Sequence, residues 1–291
     1  MPAAGGPNTL GESNLVFAYD TGDVSNSYIG EPTVNLHPYS IDVSNWTGDL
    51  FGNWISSIVT SDAVIAPDKT LTGDILGNGY GRFNSSTTIA PSQIYTYTVY
   101  LKNISLTNDF GIFYSYGLNG GLVSYGQGIS VSIASLSTTE WTRFTLTTAA
   151  PSSGVNQVQL GPCPFTGYGN PSGQQIAVWG GMIELKNHAT PFVNGTRSAT
   201  QGLLPLIGTS TIDLTNVSFD SNAQIEFDGT NDFIDTNFPA TTLNTPTIEA
   251  VVYRSTATGR YEAIVQSNLA SDDALYVYPG GTLGFWPCSV S

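Results

Sequence analysis

The chain has 291 residues, 40% of them hydrophobic, enough to bury one large core or two ordinary ones. Only 10% are charged, while Thr, Ser, Gly and Asn fill 117 positions, a composition that favours short strands and turns over helices. A formal charge of −14, from 22 Asp and Glu against 8 Lys and Arg, excludes phosphate-neutralising nucleic-acid binding and attraction to anionic membranes.

Residues 1–40 read as an extended arm. Met1–Gly6 has neither the basic nor the apolar region of a secretory signal. Either the protein leaves its cell by another route, such as lysis, or its biological start lies elsewhere. One apolar strand, Leu15-Val16-Phe17-Ala18-Tyr19, precedes an irregular stretch with Gly30, Pro32 and Pro38. So little apolar material makes no core, so the strand must be completed by the domain behind it or by another molecule. The expectation is the second, with Leu15, Val16, Phe17 and Tyr19 donated to a neighbouring sheet.

From 41 to 192 a two-residue period dominates. Tyr95, Tyr97, Val99 and Leu101 alternate with Thr96, Thr98 and Tyr100, which places the first set in a core and the threonines outward. Phe110, Ile112, Tyr114 and Tyr116 share a face, as do Ile129, Val131 and Ile133, and then Phe144 and Leu146. Gln175–Leu185 reads as a long final strand with a bulge at Gly180-Gly181. The pattern predicts an all-β, antiparallel β-sandwich of the jelly-roll kind. Residues 193–211 have linker composition. Residues 212–291 carry about seven further short strands, a second β domain that stops after a strand and therefore reads as incomplete.

Chemistry-bearing motifs are sparse. Cys163 and Cys288 have no metal-ligand or redox spacing and read as two separate thiols or one long-range disulfide. His37 and His188 sit in turn sequence, read as surface residues, and form no triad. Asp228 with Asp232, and Asp272-Asp273, read as loop-bracing acids, so no enzyme is expected. Asp20, Asp23 and Glu31, or Asp228, Asn231 and Asp232, could supply oxygens to a structural calcium ion, and turn-bracing accounts for them equally well. No other cofactor is expected. Sugar-stacking candidates are Tyr100, Tyr114, Tyr116, Tyr125, Tyr168 and Trp141. Trp141 and Trp179 read better as core, and Tyr125 and Tyr168, in Gly-rich turns, lead. Sequons at Asn45, Asn84, Asn103, Asn194 and Asn216 are as many as the Asn, Ser and Thr content yields by chance.

Three segments carry a resemblance. Ala66-Pro67-Asp68, Tyr97–Lys102, Glu140–Phe144, Val178–Glu184 and Ala189–Phe192 resemble a jelly roll related to carbohydrate-binding modules, of the kind found in bacteriophage tail-fibre and virion structural proteins. Phe219-Asp220-Ser221, Ile225–Ile234 and Thr247–Ala250 resemble the opening half of a laminin-G or concanavalin A-like domain. Phe17–Asp23 and Asn26–Thr33 are similar to a leader preceding such modules in phage proteins. The resemblance implies a non-enzymatic protomer of an extracellular fibre, filament or virion surface, assembling with other copies of itself through the arm, with glycan recognition left open. The alternative is a free-standing lectin or adhesin.

Overall fold

The computed structural model describes residues 14–46, 58–77, 88–107, 109–119, 121–164, 174–239, 247–252, 262–266, 274–278 and 283–286. Two units emerge. One comprises Ile29–Gly202 with Phe219–Gln224, the other Met1–Tyr28, Leu203–Ser218 and Ile225–Ser291. The expected division at 40, 192 and 211 differs from this at both ends. Residues 29–40 group with the sandwich, and residues 15–19 group with the C-terminal unit.

The first unit is an antiparallel β-sandwich. Its strands are β1 (Thr33–Val34), β2 (Ile58–Val64), β3 (Gly73–Gly77), β4 (Ile94–Asn103), β5 (Phe110–Leu118), β6 (Gly121–Val131), β7 (Thr142–Ala149), β8 (Gln157–Pro164), β9 (Gln175–Glu184) and β10 (Thr196–Arg197). A five-stranded sheet runs β2-β3-β9-β4-β7 and a three-stranded one β6-β5-β8. β4 is an interior strand, between β9 and β7, and its run of Tyr, Thr and Val suits a pleated strand buried on both faces. It pairs through Tyr97 with Leu146 of β7 and with Ile183 of β9. The inner faces meet in one core: Leu76, Tyr97, Val99, Leu101, Ile176, Val178 and Ile183 against Ile112, Tyr116, Val131 and Val158. Each large side chain buried there contributes about 1.5–3 kcal/mol.

The other face of β4 departs from expectation. Thr96 and Thr98 are 0% exposed, as buried as Val99 and Leu101. The chain returns over this face and supplies partners that strand periodicity cannot reveal. Thr96 Oγ1 donates to the Lys186 carbonyl at 2.9 Å and pairs with Thr147 Oγ1 at 2.9 Å. Arg143 donates to Thr98 Oγ1 at 2.9 Å and to the Thr190 carbonyl at 2.6 Å. Glu184, also fully buried, accepts from Thr33 Oγ1, Thr190 Oγ1 and the Thr190 N–H. Beyond Val178, β9 loses β3 as a partner, and residues 35–40 take its place through Leu36 N–H to Ile183 O and Gly181 N–H to Ser40 O.

His37 lies in this cover and is 4% exposed, against the expectation of a surface residue. Its ring packs 4.7 Å from that of Trp46, and a Cβ at Gly181 would sit 2.7 Å from the Trp46 ring. His188 is also less exposed than expected: its Nε2 lies 2.7 Å from Glu31 Oε2, and Lys186 Nζ bonds the other oxygen of the same carboxylate.

The second unit contains residues 15–19, which form a single isolated bridge, Ala18 with Ile207, in place of the expected strand. Ala18 N–H donates to Ile207 O at 3.2 Å, and Leu206 N–H to Ala18 O at 2.7 Å. Phe17 packs on Tyr19 and on Phe238, with ring centroids 5.8 and 5.2 Å apart. Leu15, Phe17 and Tyr19 are half-buried, and only Val16 is exposed. The segment thus has partners within the chain at Ala18 and Phe17. Gly208, at φ +93°, permits this approach, since a Cβ there would lie 2.8 Å from Val16 O. Farther along, Glu262–Gln266, Ala274–Val277 and Leu283–Trp286 form an antiparallel meander, and Asp213 bridges Asp235. Among the described residues, 247–252 form no strand, and the meander alone does not make a concanavalin A-like sandwich.

Candidate functional site

The outer face of the five-stranded sheet carries an aromatic strip at the C-terminal half of β4. The β9 bulge creates it. Gly180, at φ +67°, sits opposite the register shift between Thr98 and Tyr100. A Cβ there would lie 3.1 Å from Tyr100 and 3.4 Å from Phe192, so glycine leaves room for both rings to close on Trp179. Trp179 meets Tyr100 edge-on at 5.5 Å and Phe192 at 4.5 Å, and its indole N–H donates to Thr72 Oγ1 at 3.0 Å. Trp141 extends the strip toward β3, its N–H donating to the Ile65 carbonyl at 2.9 Å. Trp179 is the buried anchor, while Tyr100, Trp141 and Phe192 are half-buried.

Two cations flank these rings. The Arg143 guanidinium lies 5.6 Å from the Tyr100 centroid, and Lys102 Nζ lies 5.2 Å from that of Trp141. Among the described residues Lys102 makes no ion pair, in a chain with 8 cations and 22 acids. An ammonium held over an indole with no carboxylate partner is available to an incoming polar group. Separately, an open cleft of about 610 Å³ runs beside β1, lined chiefly by aliphatic residues including Val34, Leu36, Ile89 and Leu185.

Of the aromatic set the sequence favoured, the structure describes the side chains of Tyr100, Tyr114, Tyr116 and Trp141. Tyr116 is 2% exposed and faces the core, its hydroxyl 3.2 Å from Thr148 Oγ1, and Tyr114 packs beside it at 5.5 Å. Both share the parity of Ile112 and pack on the inner face, Tyr116 buried and Tyr114 half-buried against the core. Tyr125 pairs with Ser115 in the β5–β6 ladder, but its side chain, like that of Cys163, lies outside the description. Tyr168, Asn84 and Cys288 lie outside the described residues. Tyr100 and Trp141 are on the strip; Trp179 and Phe192 complete it. The Gly180-Gly181 bulge was the available signal for that, since a bulge re-aims neighbouring side chains.

The acidic groups read as calcium candidates are occupied by their own turns. Asp23 accepts from Ser25 N–H, Asn26 N–H and the Asn26 amide, and this amide bond, with the two N–H groups, holds its carboxyl below the usual range. Asp20 accepts from Gly22 N–H, Asp228 from Thr230 N–H, and Asp232 from Ser218 Oγ and Asp228 N–H. Glu31 is bound to Lys186 and His188 instead of to Asp20 and Asp23. No cluster of three metal-ligating side chains occurs among the described residues. Of the sequons, Asn103 is buried and accepts from Leu106 N–H, which leaves its amide unsuited to a glycan, whereas Asn45, Asn194 and Asn216 are exposed.

No protein-family model matches the sequence, and no curated protein matches it. Among solved structures, one neighbour is the module pair of a Clostridium thermocellum endo-1,4-β-D-xylanase complexed with xylohexaose, at 13% identity and TM-score 0.33, covering 58% of this chain and 30% of that one. Another is a xylan-binding domain from Paenibacillus barcinonensis, at 12% identity and TM-score 0.33, covering 55% and 97%. A third is the enzymatically active domain of a bacteriophage CBA120 tailspike protein, at 17% identity and TM-score 0.37, covering 53% and 21%. Likeness at this level leaves the fold to rest on the strand pairings above.

Proposed function

We propose that the sandwich unit is a non-catalytic glycan-binding module, carried by a structural protomer of an extracellular fibre or virion surface. The half-buried strip of Tyr100, Trp141 and Phe192, flanked by the Lys102 ammonium, which makes no ion pair among the described residues, carries this reading. Flat rings stack on the apolar faces of pyranoses, and the flanking cation, threonine hydroxyls and carbonyls are suited to hydroxyl or carboxylate groups of a sugar. The Ser-, Thr- and Gly-rich acidic composition fits exposure outside a cell. Assembly with other copies through residues 15–19 would have to accommodate the single bridge from Ala18 to Ile207 within the chain.

The test is a glycan array probed with the full chain and with Trp141→Ala and Lys102→Gln. Loss of binding in Trp141→Ala, with the circular dichroism spectrum retained, is the expected result. Binding unchanged by Trp141→Ala would remove the strip as the site, and no glycan bound by the parent chain would remove the function. Negative-stain imaging of the same material separates a fibre or virion protomer from a free-standing lectin.

A further inference from the structure

We propose that Asn194 is a spontaneous modification site, at which the Gly195 backbone nitrogen closes on the Asn194 side-chain amide and water opens the ring to aspartate and isoaspartate. The steps balance without any redox partner. The Gly195 N–Cγ bond forms as Cγ–Nδ2 breaks, the Gly195 amide proton is lost, and ammonia leaves. Water then adds across one of the two imide C–N bonds, its hydroxyl going to carbon and its proton to nitrogen.

The local structure exposes the reacting atoms. Asn194 and Gly195 are both exposed, and a Cβ at Gly195, were there one, would meet nothing within 4 Å. Glycine at this position removes the side chain that would otherwise obstruct ring closure, and its φ of +108° is one few other residues adopt. Neither the Asn194 amide nor the Gly195 N–H has a hydrogen-bond partner among the described residues. Three other exposed asparagines in turns and bends are restrained. The Asn119 side-chain oxygen accepts from Asn156 Nδ2 at 2.9 Å, Asn26 Nδ2 donates to Asp23 at 2.9 Å, and Asn187 Oδ1 lies 2.8 Å from His188 Nδ1.

The consequence falls on one residue. Asn35 donates from Nδ2 to Val193 O at 2.9 Å and from its backbone N–H to Gly195 O at 2.7 Å, so it holds the carbonyls on both sides of Asn194. An isoaspartyl link routes the main chain through the side chain and lengthens it by one methylene between those two anchors. Both bonds cannot then keep their geometry, and the adjoining β1–β10 ladder, Val34 with Thr196 and Thr33 with Arg197, loosens. The change also adds a negative charge and abolishes the Asn194-Gly195-Thr196 sequon.

The experiment is incubation of the folded full chain at neutral and mildly alkaline pH, followed by peptide mapping and isoaspartate methyltransferase labelling. The expected result is a one-mass-unit gain at Asn194 that rises with pH, with a mixture of aspartate and isoaspartate, while Asn26 and Asn119 change far more slowly. Asn194→Gln abolishes the signal, and so does Gly195→Ala where that variant folds. Asn194 remaining intact in the folded chain while the urea-unfolded chain converts would overturn the proposal, as would equal conversion at Asn119.

Discussion

Protonation of His37 is the most direct lever on the sandwich. Its Nδ1 accepts from Tyr39 N–H at 3.2 Å, so the neutral ring carries its proton on Nε2, which finds no partner among the described residues. Burial pushes this imidazole down to about 3. The unfolded chain takes up the proton near the ordinary value of about 6.5, while the folded chain refuses it until the lower value. Between those values the unfolded state binds more protons, so stability is complete above about 6.5 and falls as the pH falls. Linkage gives a loss of about 2 kcal/mol between pH 7 and pH 5. Asp74, raised by burial, contributes in the opposite direction at lower pH, so a variant comparison is needed to isolate the histidine. His37→Asn keeps an acceptor for Tyr39 N–H and removes the titration. Urea melts followed by tryptophan fluorescence at pH 5, 6 and 7 should show the parent chain losing about 2 kcal/mol more than the variant. Parallel pH profiles for the two proteins would refute the reasoning.

Glu184→Ala strands the Thr33 and Thr190 hydroxyls and the Thr190 N–H in a dry layer. It should cost at least about 3 kcal/mol in the same melts, with Glu184→Gln milder. Tyr116→Ala, which empties a core position, should cost about 3–5 kcal/mol while glycan binding by the surviving folded fraction is unchanged. Loss of binding without loss of stability would return Tyr116 to the list of ligand residues.

The sequence by itself determined what depends on near neighbours. Ile94–Leu101 reads as a strand because β-branched and aromatic residues alternate there, and β4 spans it. The Gly180-Gly181 pair reads as a bulge because only glycine relieves the crowding, and β9 shifts register beside it. All-β architecture follows from composition for the same local reason. Tertiary structure decided which faces were covered and by what. Thr96 and Thr98 alternate like solvent-facing residues, yet the returning segment buries them with Arg143, Thr147 and the Lys186 carbonyl as partners. His37 looks like a loop residue until Trp46 closes over it. Tyr116 and Tyr100 are both strand tyrosines, and only the pairing of two sheets sends one into the core and leaves the other on the outer face. The apolar run at 15–19 reads as a strand in need of a partner, but nothing local identifies the bridge that Ala18 makes with Ile207, far along the chain. Periodicity records the two sides of a strand; the identity of what lies against each side is a long-range contact, fixed when the chain folds back on itself.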